Sequence, residues 1–74
     1  MTQDEALQIA QEILAQQIDI ADDDAIICTH AETTDEGWYL ECNSRKYIET
    51  DDLLYALVVA PLVIRPDGTH RFVY

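Results

Sequence analysis

The first part of the chain carries a helical pattern of apolar and polar positions. Apolar residues recur three to four positions apart, and the main ones are Leu7, Ala10, Leu14 and Ile18. This spacing predicts an amphipathic helix from about Thr2 to Gln17, with an apolar stripe wide enough to lie on a sheet. Thr2, followed by Glu5, forms a capping-box pattern that marks the start of this helix.

The next two apolar segments have the composition and period of β-strands. Ala25–Ala31 is rich in β-formers, and polar residues from Thr33 to Gly37 predict a turn. Trp38–Arg45 alternates, so that one face holds Trp38, Leu40 and Cys42. The other face holds Tyr39, Glu41, Asn43 and Arg45. The two segments predict a β-hairpin in which Cys28 lies roughly opposite Cys42.

The second half of the chain is less regular. Lys46–Ala56 fits an extension of the preceding strand, then a turn, then a short helical turn or a loop. Val58–Ile64 suggests a third strand, in which Pro61 marks a sheet edge, the start of the strand or a bulge. Arg65–Gly68 is a strong turn signal, and Thr69–Tyr74 returns as a fourth strand.

These elements predict an α+β fold over residues 1–74, which we expect to form a single domain. One N-terminal helix packs on an antiparallel sheet of about four strands in meander order. One sheet face is covered by the helix, and the other is free for solvent or for a partner.

The net charge of the chain indicates which kinds of partner it can bind. The chain has 74 residues with fifteen acidic and four basic side chains, which gives a formal charge of −11. Nucleic acids and anionic membranes would be repelled, whereas a basic protein surface would be attracted. The alternative is that the acidic charge only maintains solubility, and the composition leaves both explanations open.

Few residues of the sequence are candidates for metal binding or catalysis. Cys28, His30 and Cys42 offer soft metal ligands, but the close pairs typical of a structural zinc site are absent. The run Asp22–Asp24 lacks the spaced oxygen ligands of a calcium loop. The sequence therefore predicts no metal, no cofactor and no enzymatic activity.

The compartment follows from the start of the chain, which lacks the basic and apolar regions of a signal peptide. We therefore expect a cytoplasmic protein, a monomer or weak homodimer, with Cys28 and Cys42 as reduced thiols. A disulfide between the two strands is geometrically conceivable but disfavoured in that compartment.

The outward face of the predicted sheet is the candidate for partner binding. Tyr39 supplies contact area and a hydrogen bond there, although ordinary cross-strand pairing explains it equally well. Polar residues accompany it on the strand and in the following loop. The predicted partner-binding residues are Tyr39, Glu41, Arg45, Glu49, Asp51 and Asp52.

Several stretches resemble a known bacterial family. They are Gly37–Leu40, Ser44–Asp51, Ala60–Ile64 and Asp67–Thr69. This pattern is similar to that of the YrhB-domain family, also called the immunity protein 35 family. The resemblance implies a helix-plus-antiparallel-sheet fold and a bacterial protein that is often encoded beside a polymorphic toxin and proposed to neutralise it. Members usually have glycine where this chain has Asp51, and many continue beyond the position of Tyr74.

The sequence and the resemblance together give three alternative hypotheses for the function. The first is an immunity protein that binds and neutralises a cognate toxin. The second, implied by other members of the family, is a small heat-stable chaperone-like protein that binds unfolded clients, with an apolar patch around Leu53, Leu54, Tyr55 and Val58. The third is an enzyme or metal protein that uses Cys28, His30 and Cys42, and it ranks last.

Overall fold

The computed structural model describes residues 1–74 as a helix packed on a four-stranded antiparallel sheet. Its elements are α1 (Gln3–Gln17), β1 (Ile26–Thr33), β2 (Trp38–Ser44), α2 (Arg45–Thr50), a 3₁₀ turn (Leu53–Tyr55), β3 (Leu62–Ile64) and β4 (His70–Phe72). The strands are arranged β1-β2-β3-β4, so each pairs with its neighbour in the sequence. The predicted α+β meander is confirmed.

Helix α1 begins where the sequence predicts. The Thr2 hydroxyl accepts a hydrogen bond from the Glu5 backbone N–H at 3.3 Å, and the Glu5 carboxylate accepts one from the Thr2 N–H at 3.2 Å. These two bonds satisfy donors that the first helical turn leaves free. Ala6, Ala10 and Leu14 are buried against the sheet, and the two small alanines allow a close approach.

The β1–β2 hairpin pairs Cys28 with Cys42, as predicted, and its register shifts by one residue between His30 and Glu32. The two sulfur atoms are bonded to each other, so the expectation of reduced thiols is wrong for this structure. The two side chains share the core face of adjacent strands, and the register places them directly opposite. The disulfide therefore lies in the core and links β1 to β2.

Gly37 closes the hairpin turn, where the Thr34 N–H donates to the Gly37 carbonyl at 2.7 Å. A Cβ atom at position 37 would lie 2.1 Å from the Ile64 carbonyl oxygen. Only glycine permits this approach of β3 to the turn. The core below consists of side chains from α1 and three strands, and its least exposed large members are Leu14, Leu40, Leu62 and Ile64.

The middle of the chain differs from the prediction. Residues 45–50 turn away as α2 instead of extending β2, because the Ser44 hydroxyl accepts a hydrogen bond from the Tyr47 N–H and caps the helix. The third strand begins at Leu62, directly after Pro61, and Val58 lies in a loop outside it. Of the three placements predicted for Pro61, the structure therefore shows the start of a strand.

The final turn and strand agree with the sequence pattern. The Gly68 N–H donates to the Arg65 carbonyl at 2.9 Å, and the positive φ of Gly68, 87°, suits glycine. The strand that follows is shorter than predicted, at three residues. No helix of the chain is both long enough and apolar enough to cross a membrane.

Candidate partner-binding surface

Tyr39 and Glu41 lie on the outward face of β2, opposite the face that carries buried Leu40. Glu41 is exposed and Tyr39 is half-buried. In register, Tyr39 pairs with Val63 of β3, which is buried on the same outward face. Tyr39 therefore belongs to a cross-strand pair, and its ring is still partly open to solvent.

Arg45 does not occupy the predicted place on the strand. It is the first residue of α2, and its Nη2 donates a hydrogen bond to the Asp23 carbonyl at 2.5 Å. Its Nε lies 3.7 Å from a carboxylate oxygen of Glu49, one helical turn later. Arg45 thus joins α2 to the loop before β1, and the prediction that it lies on the outward strand face is wrong.

Glu49, Asp51 and Asp52 lie at the end of α2 and directly after it, and all three are exposed. Asp51 ends the helix in the left-handed region, with φ 58° and ψ 25°. Asp52 caps the following 3₁₀ turn, since its Oδ1 accepts a hydrogen bond from the Leu54 N–H at 3.0 Å. The three carboxylates thus occupy a short, well-defined segment.

The part of α2 before this acidic segment lies beside the sheet. A concavity of about 300 Å³ lies between β2 and α2, and Glu41, Tyr47 and Ile48 are among the residues that line it. Glu41 and two residues of α2 therefore line the same concave surface. Tyr39 lies nearer the start of β2 and does not line this concavity.

A loop of apolar residues follows the acidic segment. Leu53, Leu54 and Val58 are 79, 88 and 107% exposed. The chaperone hypothesis anticipated an exposed patch at these residues and Tyr55, and the structure does expose them. The strand predicted over Val58–Ile64 includes Val58, because Val58, its neighbour Val59 and the following apolar residues have the composition of a strand.

The backbone of this loop is fixed to the end of β2. The buried Ser44 hydroxyl donates to the Tyr55 carbonyl at 2.7 Å. Asn43 accepts a hydrogen bond from the Leu57 N–H at 2.8 Å and donates to the Leu57 carbonyl at 3.4 Å. Lys46 Nζ lies 5.3 Å from the centre of the Tyr55 ring, within reach of a cation–π contact.

All four basic side chains contact acidic groups of the chain itself. Glu36 binds both Arg65 and Arg71, and the hydrogen bond from Arg71 holds the pKa of Glu36 below its usual value. Lys46 binds Asp23 at 2.6 Å, and this hydrogen bond lowers the pKa of Asp23. With Glu49 beside Arg45, three of the fifteen carboxylates have a cationic partner, and twelve have none.

The residues considered for metal binding do not form a ligand set. Cys28 and Cys42 are bonded to each other and offer no thiolate. The His30 Nε2 lies 2.9 Å from the Thr33 hydroxyl. No group of three or more histidine, cysteine or carboxylate side chains is placed to hold a metal ion.

Comparison with known proteins gives one result at the level of the family. No curated protein and no solved structure matches the chain. Residues 4–73 match the family described as Immunity protein 35, so the match covers nearly the whole chain. This comparison supports the immunity-protein half of the resemblance and does not confirm the YrhB-domain name. The chain therefore belongs to the immunity protein 35 family.

Proposed function

We propose that this protein binds and neutralises a cognate bacterial polymorphic toxin through an acidic surface formed by β2, α2 and the loop after α2. The contact residues would be Tyr39, Glu41, Glu49, Asp51 and Asp52, while Arg45 positions α2. Membership of the immunity protein 35 family supports a toxin as the partner.

The observation that carries this proposal is the internal pairing of every basic side chain. Because Arg45, Lys46, Arg65 and Arg71 are already engaged, little positive charge offsets the exposed carboxylates. Glu41, Asp51 and Asp52 have no cationic partner within the chain. Such a surface complements a basic protein surface and speeds the encounter with it.

Neutralisation in this scheme requires binding alone. The carboxylates would cover a basic face of the toxin and deny it to the toxin's own target, without turnover by the immunity protein. A protein partner is favoured over nucleic acid or membrane, because both of those are anionic.

Co-expression tests the proposal. The product of the gene beside this one, which the proposal predicts to be the toxin, is expressed in bacteria with and without this protein. A toxin domain of unrelated sequence serves as the control. The proposal predicts restored growth with the neighbouring toxin only, and an equimolar complex of the purified proteins. Absence of both rescue and complex would overturn it.

A second candidate function, a chaperone-like protein, is favoured by the exposed side chains of Leu53, Leu54 and Val58. It predicts that the purified protein suppresses aggregation of several unrelated enzymes during heating. Suppression that is absent for every client removes this candidate and leaves the toxin-binding proposal untouched.

A further inference from the structure

We propose that the loop from Asp52 to Val58 anchors the complex, and that Leu53 and Leu54 insert into an apolar pocket of the toxin with lysine or arginine side chains at its rim. This inference rests on the proposed toxin binding and adds the chemistry of the contact.

These two leucines contribute little to the fold. They are 79 and 88% exposed, and neither packs against the core. The hydrophobic core is complete without them, because it is formed by α1, β1, β2 and β3. Two adjacent large apolar side chains that gain nothing from folding are better explained by burial against a partner.

The loop holds its shape before binding. Ser44 and Asn43 hydrogen-bond the backbone at Tyr55 and Leu57, and Asp52 caps the turn that carries both leucines. Backbone groups thus point to the protein while the leucine side chains point to solvent. A loop held in one conformation loses less entropy on binding than a mobile one.

The charge around the leucines indicates which kind of partner the loop binds. Glu49, Asp51 and Asp52 directly precede the leucines and are exposed, so the apolar tip has an acidic border on that side. A second copy of this chain is a poor occupant, because it would bring the same carboxylates together between two bodies of charge −11. Charge complementarity therefore favours a different protein with a basic rim around an apolar pocket.

The test compares two double variants for binding to the purified toxin domain encoded beside this gene. Leu53→Ser with Leu54→Ser removes the apolar groups, and we expect binding about 30-fold weaker or worse, as for a hot spot. Leu53→Met with Leu54→Met keeps apolar volume and should bind within about threefold of the wild type. Gln16→Ser with Gln17→Ser changes the exposed end of α1 and controls for surface substitution.

Folding and binding are separated by two further measurements. The serine variant should unfold at the same temperature as the wild type, because the Leu53 and Leu54 side chains that it lacks do not pack in the core. In the wild-type protein, methyl NMR signals of Leu53 and Leu54 should shift on addition of toxin, while that of Leu14 in the core should not.

The outcomes distinguish this inference from the function on which it rests. Failure of the wild-type protein to bind the toxin would overturn both. Binding by the wild type that is unchanged in the serine variant, with unshifted Leu53 and Leu54 methyl signals, would overturn only the anchoring loop.

Discussion

Asn43 holds the backbone of Leu57 through both ends of its side-chain amide, with the Leu57 N–H donating at 2.8 Å and the Leu57 carbonyl accepting at 3.4 Å. Asn43 lies near the end of β2, and Leu57 lies fourteen residues later, beyond the exposed leucines. This pair of hydrogen bonds fixes the far side of the anchoring loop. The sheet therefore controls the shape of the proposed contact.

Asn43→Ala should loosen the loop. The substitution removes these two hydrogen bonds and a third, which Asn43 accepts from the Ser44 N–H at 2.8 Å. Their loss should lower the free energy of unfolding by about 1 to 3 kcal/mol, which denaturant titration would measure. Toxin binding should weaken too, because the leucines lose their fixed position. Asn43→Asp keeps the acceptor for the Leu57 N–H and should have a smaller effect. An Asn43→Ala protein that binds as tightly as the wild type would contradict this role.

Asp51 should be replaceable by glycine with a gain in stability. A non-glycine residue in the left-handed region costs roughly 1 kcal/mol, and the φ of Asp51 is 58°. Glycine relieves this cost but gains freedom in the unfolded chain, so the net gain should be about 0.5 kcal/mol. Asp51→Ala is the matched control, because it removes the same carboxylate and keeps the strain.

Measurements of toxin binding by the two Asp51 variants separate the contribution of the carboxylate to binding from the effect of backbone strain on stability. If Asp51 contacts a basic rim, glycine and alanine should weaken binding equally, although only glycine stabilises the fold. Equal stability of the two variants would mean that the backbone at position 51 is not strained.

Stability should depend on Glu36 in the acidic range. Its hydrogen bond from Arg71 and the charge of Arg65 lower its pKa in the folded protein from the ordinary value of 4.5. The folded state therefore favours the ionised Glu36 carboxylate. The resulting stabilisation is fully present above pH 4.5 and is lost as the pH falls through the lowered pKa of Glu36 in the folded protein. Glu36→Gln should melt below the wild type at pH 7 and approach it in acid.

The matched control for Glu36 is Glu12→Gln, since Glu12 forms no ion pair. Its melting temperature should follow that of the wild type across the same pH range. A Glu36→Gln protein whose deficit is the same at pH 3 and pH 7 would contradict the assignment.

Reduction of the Cys28–Cys42 disulfide should destabilise the fold without abolishing toxin binding. The bond joins residues that are fourteen apart, and a loop of about this length loses roughly 3 kcal/mol of stabilisation when opened. Because both cysteines lie on the core face, the outward surface should persist in a folded, reduced protein. Melting and toxin binding measured with and without a thiol reductant check both parts.

A reduced protein that is equally stable would contradict the structural role of this bond. Cys28→Ser with Cys42→Ser should resemble the reduced wild type. The cytoplasmic location remains a prediction, and a bond that persists in protein extracted under alkylating conditions would argue for a more oxidising compartment.

The fold was predictable where a pattern had enough length to show its period. Helix α1 has fifteen residues and a capping box, and β2 alternates after a turn, so these two elements and the pairing of Cys28 with Cys42 follow from the sequence. The register shift between His30 and Glu32 does not follow from it. Helix α2 has six residues, which is too short for a helical period to appear. Its one local signal was Ser44, an N-cap residue three positions before Tyr47.

The candidate surface was predictable only where its residues lie in a strand long enough to show alternation. Glu41 follows from strand alternation, whereas Arg45 lies one residue past the strand, where alternation no longer applies. The hydrogen bonds from Asn43 and Ser44 to the later loop join residues more than ten positions apart. No local pattern encodes such contacts, so the fixed loop became visible only in the structure.

The most direct test of the acidic binding surface is the association rate with the neighbouring toxin domain as ionic strength is varied. Wild-type protein should associate quickly at low salt and more slowly as salt screens the carboxylates. The variant with Glu49→Gln, Asp51→Asn and Asp52→Asn should associate slowly at all salt concentrations. An association rate that is independent of both salt and these substitutions would contradict the account.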